Sequence, residues 1–190
     1  MTEGDDAMDE LEARLQRVED RWAINDLLVD YGTTTDDRDL EELGALYTED
    51  AVFVGTHGEM QGRAAIVDYY EERLASFGAS YHIPYSHKVD FVSDVEARGL
   101  MLGAAELAVD GQAFWVAMRY HDHYVKGDDA RWRFRERRIE MLYAMPLADL
   151  PEGMASDLRK RWPGTDPAPA EIPEGTPTWQ THRARIRAPE

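Results

Sequence analysis

The chain contains no cysteine, which excludes disulfides, thiolate metal sites and a cysteine nucleophile. Nowhere do about 18 apolar residues run together, the length a membrane-spanning helix requires. Its start, MTEGDDAMDELEARL, lacks the basic and apolar regions of a secretory leader. A cytoplasmic protein that makes no membrane contact is therefore expected. Basic residues are outnumbered, 21 against 38 acidic ones, for a formal charge of −17. Nucleic-acid binding needs Lys/Arg clusters that displace counterions from phosphates, so that partner class is not expected. The acidity concentrates in the first fifty residues and reads as a device for solubility. Proline is scarce too before the tail: Pro84 apart, the other eight of the nine prolines lie beyond Met145. The chain before Met145 is free to form ladders, and the stretch after it reads as an extension without strands.

The residues present suit one domain of 190 residues with an appended tail, its core filled from five Trp, nine Tyr and five Phe. From Asp9 to about Thr34, apolar residues at Leu11, Leu15, Val18, Trp22, Leu27 or Leu28, and Tyr31 keep helical spacing and predict one buried stripe. The run Thr33, Thr34, Thr35 is β-branched, a poor helix interior, so the helix is expected to fray just before Asp36. A second helix is predicted over 39–47, capped by Asp37 or Asp39, then a strand over 51–54 and a turn at 56–58. A third helix, 63–76, places Ile66, Tyr69, Tyr70 and Leu74 inward. Strands are expected near 81–93, 96–109, 112–126 and 131–144, with turns at Asp94, Asp110-Gly111 and 127–129. Strand 112–126 alternates Phe114, Val116, Met118 and Tyr120 against Trp115, Ala117, Arg119 and His121. Helices first, then an antiparallel meander, predict an α+β fold whose sheet curls around the helices and leaves a hollow. Domain limits of 1–147 and 148–190 result, with a short helix near 152–161 and an otherwise extended tail.

Polar residues set where apolar ones are expected mark the chemistry. His82 opens the first long strand, Asp36 comes just after the first helix, and Tyr31 lies on that helix's inner stripe. An imidazole held by a carboxylate is a competent general base near neutral pH, and a tyrosine hydroxyl can donate to a departing group. Glu106 is a carboxylate in an apolar strand, either a pocket acid or on the outer face. His121 and His123 share a strand face and form at most half a metal site; a solvated or interface face fits them better. Tyr47 and Tyr85 are large amphipathic residues that would sit near the hollow. No phosphate loop, dinucleotide fingerprint or serine elbow occurs.

Several segments carry a resemblance: Ala23 to Leu28 with Tyr31 and Asp36; Leu46 to Val52; His82 with Val89 to Ser93; and Tyr120 to Tyr124 with Trp132, Arg133, Phe134 and Arg137 beyond. In order and spacing, Val18 to Leu147 resembles the SnoaL-like branch of the nuclear transport factor 2-like superfamily. Within it, the sequence is most similar to scytalone dehydratase, bile-acid 7α-dehydratase and hexachlorocyclohexane dehydrochlorinase. The resemblance implies a cone-shaped α+β barrel and a cofactor-independent lyase, with no metal. It implies catalytic roles for His82, Asp36, Tyr31 and Arg137, with Arg138 as the alternative if the register slips. It departs from scytalone dehydratase at Glu106 or Leu107, Met118 and Tyr120, and from the bile-acid enzyme at Met141, which predicts a differently lined pocket. The expected lining is Tyr47, Phe53, Tyr85, Glu106, Phe114, Val116, Met118, Tyr120, Ile139 and Met141, suited to a small, ring-bearing, mostly apolar substrate. Isomerisation, halide elimination or loss of a small aldehyde would use the same parts. A non-catalytic ligand carrier or small oxygenase subunit is the competing class. By the same resemblance a homotrimer is expected, or a dimer.

Overall fold

The computed structural model describes residues 3–187. Helix α1 (Glu3–Asp37) leads to a short α2 (Leu40–Ala45), a hairpin of β1 (Tyr47–Gly55) and β2 (Gly58–Gln61), and α3 (Arg63–Ala75). Four long strands come next: β3 (Phe77–Phe91), β4 (Glu96–Val109), β5 (Gln112–Lys126) and β6 (Trp132–Pro146). They form one curved, open sheet in the order β2-β1-β6-β5-β4-β3, antiparallel except where β1 runs parallel to β6. The expected α+β architecture is present. The Asp110-Gly111 turn also falls where expected, both residues at positive φ (50° and 74°) in the conformation a tight hairpin requires.

Helix α1 departs from expectation at both ends. It does not fray at the threonines but runs through Asp37. Each threonine hydroxyl donates to a carbonyl four residues back: Thr33 to Val29 at 3.1 Å, Thr34 to Asp30 at 2.7 Å, Thr35 to Tyr31 at 2.6 Å. Back-bonding of this kind lets β-branched residues occupy a helix. The helix then stops on Arg38, at φ 65°. The Arg38 guanidinium donates to the Thr35 and Asp36 carbonyls, to the Ser80 hydroxyl and to the Gly78 carbonyl, all within 2.9 Å. A cation thus satisfies the last carbonyls of α1 and ties them to β3. At the other end, the predicted buried stripe of Leu11, Leu15, Val18 and Trp22 faces outward, more than half exposed. Only Ile24, Leu27, Leu28 and Tyr31 enter the core. The upper part of α1 is held by polar contacts instead: buried Asp20 accepts from Trp132 Nε1–H at 2.9 Å and pairs with Lys126 at 2.5 Å.

Other corrections are smaller. Tyr47 opens β1 rather than ending the second helix, and β3 begins four residues earlier than expected. Asp39, of the two candidates, caps α2 by accepting from the Glu42 N–H. The tail is more ordered than expected. It carries α4 (Leu150–Ala155) and a helix the sequence reading missed, α5 (Pro177–Arg187). Between them, the Lys160 carbonyl accepts from the Ala144 N–H at 2.8 Å, and Glu171 brackets Met141 through both backbone and side chain. This segment therefore lies along β6, burying Ala170 and Ile172. Among the described residues, no helix is long and apolar enough to cross a membrane.

Because Asp20 satisfies one buried indole and one largely buried ammonium, its removal leaves both without a partner. Asp20→Ala should destabilise the protein by about 3 kcal/mol in urea titration, whereas Asp9→Ala, on the exposed side, should stay within about 0.5 kcal/mol.

Candidate active site

Asp36 occupies the last turn of α1, and its two oxygens hold the same residue twice. Oδ2 accepts the His82 backbone N–H and Oδ1 accepts His82 Nδ1–H, both at 2.7 Å. The close approach of helix and strand depends on Gly32, where even a Cβ would come within 3.2 Å of the His82 Cβ. With Nδ1–H committed to the carboxylate, Nε2 carries the ring's lone pair. Both side chains are mostly buried, at 15% and 13% exposure. Burial alone would raise the Asp36 carboxyl, but the hydrogen bond and charge of His82, with its backbone N–H, outweigh this and hold the carboxyl below its ordinary value.

The ring lines a hollow with about 590 Å³ of empty space, its open mouth included, and with a mostly apolar wall. Tyr31 meets the imidazole edge-on, centroids 5.8 Å apart, and its hydroxyl shares a 2.8 Å hydrogen bond with Tyr70. Burial raises the Tyr31 hydroxyl to about 12, so it stays protonated and can donate. Behind Tyr31 lies Arg137, wholly buried, its guanidinium 3.9 Å from the Tyr31 and Tyr120 ring centroids and 4.4 Å from that of Phe134. Its counter-ion is Asp122, 3.5 Å from Nε, which also accepts from Tyr124 at 2.7 Å. Simple alternation along β6 would turn Arg137 away from the face carrying Trp132 and Phe134. A bulge changes this: Tyr124 pairs with Phe134 and His123 with Glu136, so Arg135 is the extra residue and Arg137 swings inward.

Of the expected site residues, the structure brings His82, Tyr31, Phe53, Val116, Met118, Tyr120 and Ile139 to the wall of the hollow. Asp36 stands directly behind His82, and Arg137 behind Tyr31. Tyr47, Phe114 and Met141 are buried in the core but do not line the hollow. Tyr85 and Glu106 do not belong to it at all, since both are exposed on the outer side of the sheet. Arg138 is exposed as well, near Glu136. His121 and His123 reach carboxylates on the flanking strands, Glu140 at 2.9 Å and Glu96 at 2.8 Å.

The expected lining left out much of the wall, including Thr35, Tyr69, Arg73 and Trp162. Thr35 and Tyr69 contribute directly, the latter from the inward face of α3. Arg73 brings a cation to the wall, its Nε and Nη2 without hydrogen-bond partners among the described residues. Trp162 reaches in from the C-terminal segment and lies under Arg73, 4.4 Å from guanidinium carbon to ring centroid. The helical spacing of α3 could have flagged Arg73, one turn after Tyr69. Nothing in the local sequence marks Trp162, whose position depends on how the tail docks.

A curved open sheet wrapped over helices, with a histidine aimed inward by a carboxylate, defines a cone fold around a mostly apolar hollow. The chain belongs to the SnoaL-like domain family, whose model matches residues 16–138. Solved structures agree on the fold. A putative scytalone dehydratase from Novosphingobium aromaticivorans superposes with a TM-score of 0.65 at 25% identity, covering 69% of this chain and 89% of that one. LinA gives 0.67 at 25% identity over 71% and 94% of the two chains. The hexachlorocyclohexane dehydrochlorinase LinA-type3 from Novosphingobium barchaimii gives 0.66 at 24%, with the same coverage. No protein of curated function matches the sequence.

The depressed Asp36 carboxyl sets a sign for the pH dependence of stability. A group whose pKa falls on folding stabilises the fold above its unfolded value and loses that contribution as pH drops through the folded value. Stability should therefore decline as the pH falls below the ordinary carboxylate value of 3.8. Part of that decline should be missing in Asp36→Asn, as read from urea midpoints between about pH 2 and 6.

Proposed function

We propose that this chain is a cytoplasmic, cofactor-independent lyase that eliminates water from a small, ring-bearing, mostly apolar alcohol. The observation that carries this reading is the double hold of Asp36 on His82, which leaves Nε2 as the basic atom of a ring that lines an apolar hollow. Nε2 removes a proton from carbon, and the C–H electron pair becomes the new C=C π bond. The adjacent C–O bond breaks with its pair on oxygen. Tyr31, protonated and backed by Tyr70, donates to that oxygen, so that water leaves. The imidazolium then releases its proton and the Tyr31–Tyr70 pair is reprotonated from solvent. Asp36 stabilises the imidazolium while it lasts. Arg137 acts from behind: its charge over the Tyr31 ring favours negative character developing at the hydroxyl. Arg73 is, among the described residues, the one cation on the wall and provides an anchor for a substrate oxygen. Likeness to dehydratase and dehydrochlorinase structures supports an elimination.

The test is a screen of candidate alcohols, halides and aryl-propanoid diols for conversion without added cofactor, then His82→Ala and Asp36→Ala on the substrate found. Each change should lower turnover by about 10²–10⁴-fold while the circular dichroism spectrum is unchanged. Full activity in either variant would overturn the assignment, and a carrier protein would tolerate both. Trp162→Ala removes part of the wall without touching the dyad, and should raise KM several-fold while kcat changes less.

A further inference from the structure

Six large apolar side chains stand on the outward side of α1, each between 46% and 64% exposed: Met8, Leu11, Leu15, Val18, Trp22 and Val29. Their spacing runs three, four, three, four, and after Trp22 the pattern continues through Asn25 to Val29. That is the a/d seam of a heptad repeat, with Met8, Leu15, Trp22 and Val29 at a and Leu11, Val18 and Asn25 at d. Over 22 residues it extends roughly 33 Å along the helix. The opposite side of the helix already faces the protein body, through Arg17 on Ser93 and Asp94, Asp20 on Trp132, and the buried Ile24, Leu27 and Tyr31. No described residue of the chain therefore covers the seam.

The flanking charges identify the occupant. The e positions are all acidic, Glu12, Glu19 and Asp26, and the g positions include Arg14 and Arg21. In a parallel coiled coil each g side chain meets the e side chain five residues on in the partner. A second copy of the helix then sets Arg14 against Glu19 and Arg21 against Asp26, in both directions across the seam. An antiparallel copy would oppose arginine to arginine and glutamate to glutamate. Arg21 spends one nitrogen on the Val89 carbonyl at 3.1 Å, which leaves the rest of its fork for this contact.

We propose that α1 of this chain self-associates through the seam from Met8 to Val29, as a parallel, in-register coiled coil with another copy of the chain. The proposal is independent of the catalytic reading, since no residue of the seam lines the hollow.

The experiment measures the mass of the full chain by light scattering after size exclusion. Wild type should be oligomeric at micromolar concentration, and Leu15→Glu combined with Val18→Glu should give monomer. Ala13→Glu, exposed on the same helix but off the seam, should leave the assembly intact. Either a two-fold or a three-fold count supports the seam, provided that the double variant dissolves it. Direction is read by oxidation, since the chain has no cysteine of its own. Leu11→Cys and Val18→Cys should each form an interchain disulfide, as only a parallel, in-register pair brings both d positions together with themselves. A monomeric wild type overturns the proposal, as does an assembly that survives the double variant, as one built on the outer sheet face would. Cross-linking at only one of the two cysteines overturns the parallel arrangement.

Discussion

The site depends on one carboxylate binding two groups of one residue. By accepting both the main-chain N–H and the ring N–H of His82, Asp36 fixes the position of an edge strand and the orientation of a side chain with the same two atoms. Either bond alone would leave a freedom: the ring could turn, or the strand could slide along the helix. With both made, placing the imidazole and placing β3 against α1 are a single event. The helix end must be well formed for this to work. The back-bonding threonines and the Arg38 cap supply that, carrying the helix two residues past the point where β-branched side chains would ordinarily end it.

A second constraint is the buried charge beneath the pocket. Arg137 has no solvent contact, and its Nε and Nη1 lack hydrogen-bond partners among the described residues. Three aromatic faces and the Asp122 carboxylate stand in for water. Such an arrangement is costly to disturb, because removing either ion leaves the other unpaired in a poorly solvated place. It also gives the floor of the hollow a fixed electrostatic sign. Tyr31, between this cation and the pocket, is the side chain through which that sign is felt.

How much of this was legible in the sequence varied with the range of the physics involved. The strands of the meander and the alternation from Phe114 to Tyr120 arise from local period and burial, and the structure bears them out. Asp36, His82 and Tyr31 could be read because each is a polar group at a position where the pattern calls for apolar ones. Where the reading of α1 and of Arg137 fell short, a non-local contact decided the outcome. The outward turn of Leu11, Leu15, Val18 and Trp22 arises because the body packs on the opposite side of α1, at Arg17 and Asp20, and helical period alone does not say which side of a helix the body lies on. Glu106, open between a pocket acid and the outer face but counted with the lining, and Tyr85, expected near the hollow, both lie exposed on the outer side of the sheet. Arg137 reaches the interior only through a bulge at Arg135, which no local signal announces.

Trp162 joins the wall from a segment beyond the last strand, far along the chain from the dyad. The Asp36–His82 pair and part of the wall of the hollow thus reside on physically separable stretches of polypeptide. A replacement of the tail would reshape the hollow while the histidine and its carboxylate stay untouched, making the C-terminal segment the natural cassette for resizing the cavity of this scaffold.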